Sequence, residues 1–185
     1  MTPAPMLTTE QYFRTPESLL PTEVIYGALR VAESPELRHQ QALGAFHLAL
    51  APHVIRGRLG MVLLSPMDVV FDYERALILQ PDLIFISRRR LRHVIKGQKV
   101  IGAPDMVLEV LSPNPRIGKL QERLDWFAEY GVREIWLLHQ DAGQFEILGT
   151  ADGRIASRER YGYDTAIRSQ VLPSFSATIK EILRG

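Results

Sequence analysis

The chain has 185 residues, and its 22 Lys and Arg against 21 Asp and Glu leave a formal net charge of only +1. This balance argues against a histone-like polycation and against an acidic tail protein. Because the sequence contains no cysteine, a disulfide scaffold, a thiol nucleophile, an iron–sulfur cluster and every thiolate zinc site are excluded.

The length and a hydrophobic content of 46% predict one globular domain over residues 1–185, with a short N-terminal arm rich in proline. A short helix is predicted to begin at Thr8 or Thr9. The β-rich run from Glu23 to Ala32, interrupted by one glycine, predicts a strand pair or a kinked strand. Ser34 and Pro35 are typical of a helix start. That helix is expected to bury a stripe formed by Ala42, Leu43, Phe46, Leu50 and Val54.

The rest of the chain is predicted to be richer in strands. Short apolar segments bounded by Pro and Gly predict strands at 59–64, 69–71, 77–79 leading to 83–86, and 106–111. A second helix is expected from about Gly118 to Tyr130, ended by Gly131. After it come a predicted hairpin over 134–148, an irregular strand around 167–172 and a closing helix over 176–183. This order predicts one α/β or α+β unit.

No segment has the roughly 18 to 20 uninterrupted apolar residues that a membrane span needs, and the opening from Met1 to Leu7 lacks the features of a signal peptide. We therefore expect a cytoplasmic protein without a membrane partner. Neither a phosphate-binding glycine loop nor a serine-nucleophile elbow is present in the sequence.

Two carboxylates occupy positions that an apolar core would not favour. Asp82 opens a strongly apolar strand, and Glu109 stands inside the strand that runs from Met106 to Leu111. Because burying an unpaired carboxylate costs at least several kcal/mol, Glu109 needs a cation, a metal or a water-filled cleft. If the two strands are neighbours, the acids converge and offer oxygen ligands to a hard divalent cation such as Mg²⁺. Phosphodiester hydrolysis is the reaction that fits such a site.

A structural interpretation of the same two acids stands beside the catalytic one. In it, Asp82 caps a turn after Pro81, and Glu109 pairs with a buried arginine. The sequence spacing alone does not separate the two interpretations.

Several segments, taken in order, resemble one known family. They are Thr8–Tyr12, Glu23–Ile25 with Gly27 and Leu29, Ser34–Pro35 with Arg38–Gln40, Pro66–Val69, Gln80–Asp82, Gly102–Pro113 and Tyr130–Trp136. This ordered set resembles the Uma-two family of restriction-endonuclease-like proteins, within the PD-(D/E)XK nuclease superfamily. The resemblance implies a restriction-endonuclease-like core with a mixed central β-sheet flanked by helices, a divalent metal (Mg²⁺ or Mn²⁺) and deoxyribonuclease activity on DNA.

Matched by position, the resemblance implies that Asp82 and Glu109 are the metal-binding acids and that Glu23 is an acid that accompanies the site. Where the family carries a helix lysine this chain has Arg123, and Lys119 stands four residues earlier, on the same helical face. Arginine stays charged and acts as a donor and an electrostatic clamp, whereas lysine can lose a proton and help to activate water.

Each of these additional residues has a structural alternative. Lys119 and Arg123 are also compatible with a solvated helix face paired with Glu122 or Asp125, and Glu23 with a solvated strand residue.

The segment 87–99 carries six positive charges and no acid. It predicts a contact with a nucleic-acid backbone through Arg88, Arg89, Arg90, Arg92 and Lys96. A flexible solvated loop is the alternative for this segment. His39 near Arg38 is a candidate contact to the scissile phosphate, although a single helical histidine is more often a packing residue.

The sequence thus predicts a Mg²⁺-dependent endonuclease that acts on DNA. Its alternatives are a catalytically inactive nucleic-acid-binding or scaffold protein that retains the nuclease fold, and a protein-interaction module without a nucleic-acid partner. Double-strand cutting by a chain with one site further predicts a two-fold homodimer.

Overall fold

The computed structural model describes residues 6–16, 18, 20–32, 34–111, 120–140 and 143–184. The described helices are α1 (Thr9–Phe13), α2 (Leu37–Arg56), α3 (Leu91–Val94), α4 (Leu120–Glu129) and α5 (Ile179–Arg184). The first six described strands are β1 (Thr22–Ile25), β2 (Ala28–Val31), β3 (Gly60–Leu64), β4 (Val69–Asp72), β5 (Leu77–Leu79) and β6 (Leu83–Ser87). They are followed by β7 (Ile95–Lys96), β8 (Lys99–Ile101), β9 (Met106–Leu111), β10 (Glu134–His139), β11 (Gln144–Ala151) and β12 (Arg154–Tyr161).

The described strands form two six-stranded sheets. The central sheet has the order β12-β11-β10-β9-β6-β3, and the second sheet has the order β2-β1-β5-β4-β8-β7. The central sheet is mixed, because β9 and β10 are parallel while every other pair of neighbouring strands in it is antiparallel. The predicted mixed central sheet flanked by helices is therefore confirmed. The second sheet was not predicted, and it takes up the predicted strands near residues 23–32, 69–71 and 77–79.

Helices α2 and α4 pack on opposite faces of the central sheet. The predicted stripe of α2 is buried and lies in one core cluster with Met106, Leu108 and Val110 of β9. The intervening Val107 belongs to the other cluster, together with Phe127 of α4. Strand alternation thus sends Glu109 toward α4 rather than toward α2, as the apolar pattern of β9 predicts.

The helix ends follow the sequence signals in two of three cases. Thr8 caps α1 through a capping box with Gln11, as a short helix at this position requires. Gly131, at φ +94°, follows α4 in the left-handed conformation that ends many helices. The predicted start of α2 was wrong: the backbone stays extended through Glu36 (φ −73°, ψ 162°), so the helix begins at Leu37 without a side-chain cap from Ser34.

The C-terminal strand prediction was also wrong in position. The last strand is β12, and residues 167–172 form no strand. Buried Glu134 holds this irregular segment, because its carboxylate accepts hydrogen bonds from the Ser169 hydroxyl (2.6 Å) and the Gln170 backbone N–H (2.5 Å). β12 was not predicted from the sequence, because it is an edge strand of largely exposed, charged residues and lacks apolar alternation.

The later part of the basic segment forms α3 and the β7–β8 hairpin instead of the loop of the alternative, whereas residues 88–90 form a turn in which Arg88 and Arg89 are exposed. Among the described helices, none combines the length and the apolar character that crossing a membrane requires.

Candidate active site

The pairing of β6 with β9 brings the two predicted acids together. These strands run antiparallel with Leu83 opposite Leu108, so the next step of the register places Asp82 opposite Glu109. The Asp82 carboxylate accepts a hydrogen bond of 2.7 Å from the backbone N–H of Val110, the residue after Glu109. Two acids that are distant along the chain therefore meet at one end of β6, as the sequence hypothesis required.

Arg123 of α4 connects Glu109 to a third acid, Glu23 of β1. Its Nε and Nη2 each lie 3.0 Å from Glu109 Oε1, while its Nη1 lies 2.8 Å and 2.9 Å from the two carboxylate oxygens of Glu23. Glu23 and Glu109 are buried and Arg123 is mostly so, with exposed side-chain fractions of 2%, 11% and 11% respectively. We call Glu23, Arg123 and Glu109 the buried ion triad.

The buried ion triad shifts the ionisation of its members. Burial raises the pKa of Glu109 above its ordinary value; the Arg123 guanidinium opposes this shift, and the negative charges of Asp82 and Glu23 add to it. Burial by itself would lower the pKa of Arg123, but Glu109 and Glu23 raise that pKa above its ordinary value. Arg123 is therefore a permanent cation that cannot take up a proton from water.

His39, in the first turn of α2, is the second partner of Asp82. Its Nε2 lies 3.1 Å from Asp82 Oδ2, the same oxygen that accepts the Val110 N–H. Burial of the ring works against its charge, yet the hydrogen bond and the charge of Asp82, helped by Glu109, raise the pKa of His39. The other ring nitrogen, Nδ1, is buried and makes no hydrogen bond within the described part of the chain.

A chain of hydrogen bonds connects Glu23 to further polar residues. The backbone N–H of Gln80 donates to Glu23 Oε1 at 2.7 Å, and the Gln80 side chain donates to Asp68 Oδ1 at 2.9 Å. The Tyr12 hydroxyl of α1 lies 3.1 Å from the same Asp68 oxygen. Sequence patterns assign no role to Gln80 or Asp68, although both stand in segments that carry the family resemblance.

The structure decides between the alternatives for several predicted residues. Arg123 does not pair with Glu122 or Asp125 on a solvated face, since its guanidinium is buried against Glu23 and Glu109. Glu23 is likewise buried rather than solvated. The pairing of Glu109 with a buried arginine is confirmed. The predicted Lys119, like the expected helix start near residue 118, lies outside the described residues.

The arginine-rich start of the basic segment lies away from Asp82. Asp82 and Arg88 flank opposite ends of β6, which separates their Cα atoms by about 20 Å at ~3.3 Å per residue. A surface pocket there is lined by Arg88, Arg89, Leu91, Arg92 and His93. Arg90 turns instead toward fully buried Asp105, 3.9 Å away. Arg88 therefore cannot touch the same phosphate group as Asp82.

The donor set at the acids meets the needs of a divalent cation only in part. Within the described ranges, no group of three or more His, Asp or Glu side chains is arranged to hold a metal. Asp82 Oδ1 and Glu109 Oε2 nevertheless accept no hydrogen bond from any residue that the structure describes. Two carboxylate oxygens fit Mg²⁺, which usually takes one or two protein carboxylates and completes its shell with water and phosphate oxygens.

Comparison with known proteins agrees with this architecture. No curated protein matches the chain. The chain resembles the crystal structure of "a putative nuclease belonging to DUF820" from Anabaena variabilis, with a TM-score of 0.78 and 18% identity. This match covers 96% of the present chain and 98% of the other, and at this identity it shows the fold. The Uma2 family model, described as "Putative restriction endonuclease", matches residues 9–180. This match spans more than half of the chain, which therefore belongs to the Uma2 family.

Proposed function

We propose that the protein is a metal-dependent endonuclease that hydrolyses phosphodiester bonds in DNA. The observation that carries the proposal is the meeting of Asp82 and Glu109 across β6 and β9, each with one carboxylate oxygen not engaged by a described residue. The membership of the Uma2 family supports a nuclease as the class of enzyme.

In this proposal Asp82 and Glu109 hold Mg²⁺ or Mn²⁺. The ion, when bound, would stabilise negative charge on the phosphate and lower the pKa of a bound water. The protein contributes the rigid placement of the two acids. The Val110 N–H and His39 fix one oxygen of Asp82, and Arg123 fixes one oxygen of Glu109, so each carboxylate presents its other oxygen.

Arg123 acts in this proposal as a positioning residue. Its donors are directed to Glu109 and Glu23, and its permanent charge keeps Glu109 partly neutralised. Because a guanidinium does not give up its proton at neutral pH, Arg123 supplies no base for the attacking water. Its contribution is to hold the Glu109 carboxylate and to add positive potential near the phosphate.

The basic segment supports DNA as the substrate. At about 20 Å from Asp82, Arg88 is placed to contact a phosphate roughly six base pairs from the cleaved bond, at ~3.4 Å per step of a strand. Arg88, Arg89 and Arg92 line the pocket of the basic segment. A cytoplasmic location and a two-fold homodimer complete the proposal, and sedimentation analysis tests the homodimer.

Cleavage of supercoiled plasmid tests the proposed activity. The wild-type protein is expected to nick DNA with Mg²⁺ or Mn²⁺ and not with EDTA, and Asp82→Ala should abolish nicking. Asp125→Ala, an exposed acid on α4, is the matched control and should retain wild-type activity. Cleavage retained by Asp82→Ala would reject the site. A calorimetric Mn²⁺ titration of wild type against Glu109→Ala locates the ion independently of any substrate.

The ion pairs of Arg123 favour a second candidate function, a nuclease fold that binds DNA without cutting it. In this candidate the guanidinium, which stands where the family resemblance implies a lysine, neutralises Glu109 permanently. Cleavage by the wild-type protein separates the two functions, and Arg123→Lys tests whether a lysine restores activity. An active enzyme should cleave in the wild-type form, whereas a silent one should remain inactive until the lysine is restored, or remain inactive in both forms.

A further inference from the structure

A second charged cluster lies in line with Glu109 across the central sheet. Glu109 of β9 is opposite Leu137 of β10, Leu137 is opposite Glu146 of β11, and Glu146 is opposite Arg160 of β12. Residues opposite each other in neighbouring strands share a face of the sheet, so Arg160 is on the face that carries Glu109 and α4. Three strand spacings of ~4.8 Å place their Cα atoms about 14 Å apart.

The members of this cluster are held in fixed positions. Glu146 is only 3% exposed, and its carboxylate lies 2.8 Å from Arg160 Nε and 3.2 Å from Arg158 Nη1. The side chain of Arg158 is 43% exposed and that of Arg160 is 69% exposed. A buried carboxylate in this apolar strand adds little stability by comparison with an apolar residue, since its desolvation offsets the pairing. Glu146 instead holds the two guanidinium groups at the protein surface.

His139 lies beside Glu146 on the same face of the sheet. It is the residue of β10 that follows Leu137 on the same face, and its Nε2 lies 3.8 Å from Glu146, too far for a hydrogen bond. This buried nitrogen has no hydrogen-bond partner among the residues that the structure describes. Two arginines against one acid give the cluster a net positive charge, which suits an anionic ligand.

We propose that Arg158 and Arg160, held by Glu146, bind the DNA backbone about 14 Å from the acid pair. This inference rests on the proposed function and adds to it a second phosphate-binding surface on the same face of the sheet, apart from the basic pocket beyond β6. The planar guanidinium groups suit phosphate oxygens, and such contacts position a duplex without reading its sequence.

The salt dependence of DNA binding, measured in EDTA, tests the inference. Removing one arginine that neutralises a phosphate should reduce the slope of log K against log salt concentration by about 0.9, so Arg158→Gln with Arg160→Gln should reduce it by about 2. The matched control is Arg56→Gln with Arg154→Gln, which removes the same charge from exposed positions at the end of α2 and at the far end of β12. The control slope should stay within about 0.5 of wild type.

A triple variant guards against loss of the fold. The triple variant Arg158→Gln, Arg160→Gln, Glu146→Gln also removes the buried carboxylate, which the two arginine substitutions would otherwise leave with weaker partners. This variant should show the same reduced slope and a normal melting transition. Equal slopes for the test and control pairs would overturn the inference, as would wild-type protein that shows no salt-dependent binding.

This experiment is independent of cleavage. Reduced slopes in a protein that never cuts DNA would uphold the inference and reject the nuclease. An unchanged slope in a protein that cuts normally would reject the inference and leave the nuclease intact.

Discussion

Replacement of Arg123 by methionine should destabilise the protein strongly. The substitution keeps much of the side-chain length but leaves Glu23 and Glu109, both buried, without their common cation. Removing one partner from a buried ion pair typically costs about 3–5 kcal/mol of unfolding free energy. For a chain of this size, each kcal/mol shifts the melting temperature by about 2–4 °C, so a decrease of about 6 to 20 °C is expected.

The assay is urea denaturation followed by circular dichroism, with thermal melting alongside it. Arg154→Met, at an exposed position, is the control and should change the unfolding free energy by less than about 0.5 kcal/mol. The triple variant Glu23→Gln, Arg123→Met, Glu109→Gln should recover most of the loss, because no charge then remains buried. A loss below about 1 kcal/mol for Arg123→Met, or a triple variant as unstable as the single one, would refute the reasoning.

Three further substitutions test the scaffold. Glu134→Ala removes the acceptor for the Ser169 hydroxyl, the Gln170 N–H and the Trp136 Nε1–H, so we expect a loss of about 3–5 kcal/mol in urea denaturation and faster hydrogen exchange at the Gln170 amide. Gly60→Ala would place a Cβ 2.0 Å from the Ile86 carbonyl oxygen, and it should cost at least about 2 kcal/mol in the same assay; wild-type stability would contradict the close approach. Gly44→Ala, in α2 with open space around its Cα, should instead raise the unfolding free energy by about 0.5–1 kcal/mol, and a decrease would show that this face of α2 is covered.

The candidate site divides into a part that local sequence patterns predict and a part that they do not. Asp82 and Glu109 stand out in the sequence because each interrupts an apolar strand, and a charge in such a position needs a partner. The identity of that partner is not a local property. Arg123 and Glu23 are 100 positions apart, and His39 and Asp82 are 43 positions apart, so neither pairing leaves a periodic signal.

The sequence by itself determined most element positions, because the apolar repeats of α2 and α4 and the alternation of β9 follow from helix and strand geometry alone. The predictions from sequence were wrong where long-range contacts replace apolar periodicity. The two cases are the charged strand β12 and residues 167–172, which Glu134 holds. Only the tertiary structure decided that the strands divide into two sheets and that Arg123 joins them through Glu23 of one and Glu109 of the other. The physical reason is that strand register and ion pairing depend on which distant segments align, and the free energy of that alignment belongs to the whole chain.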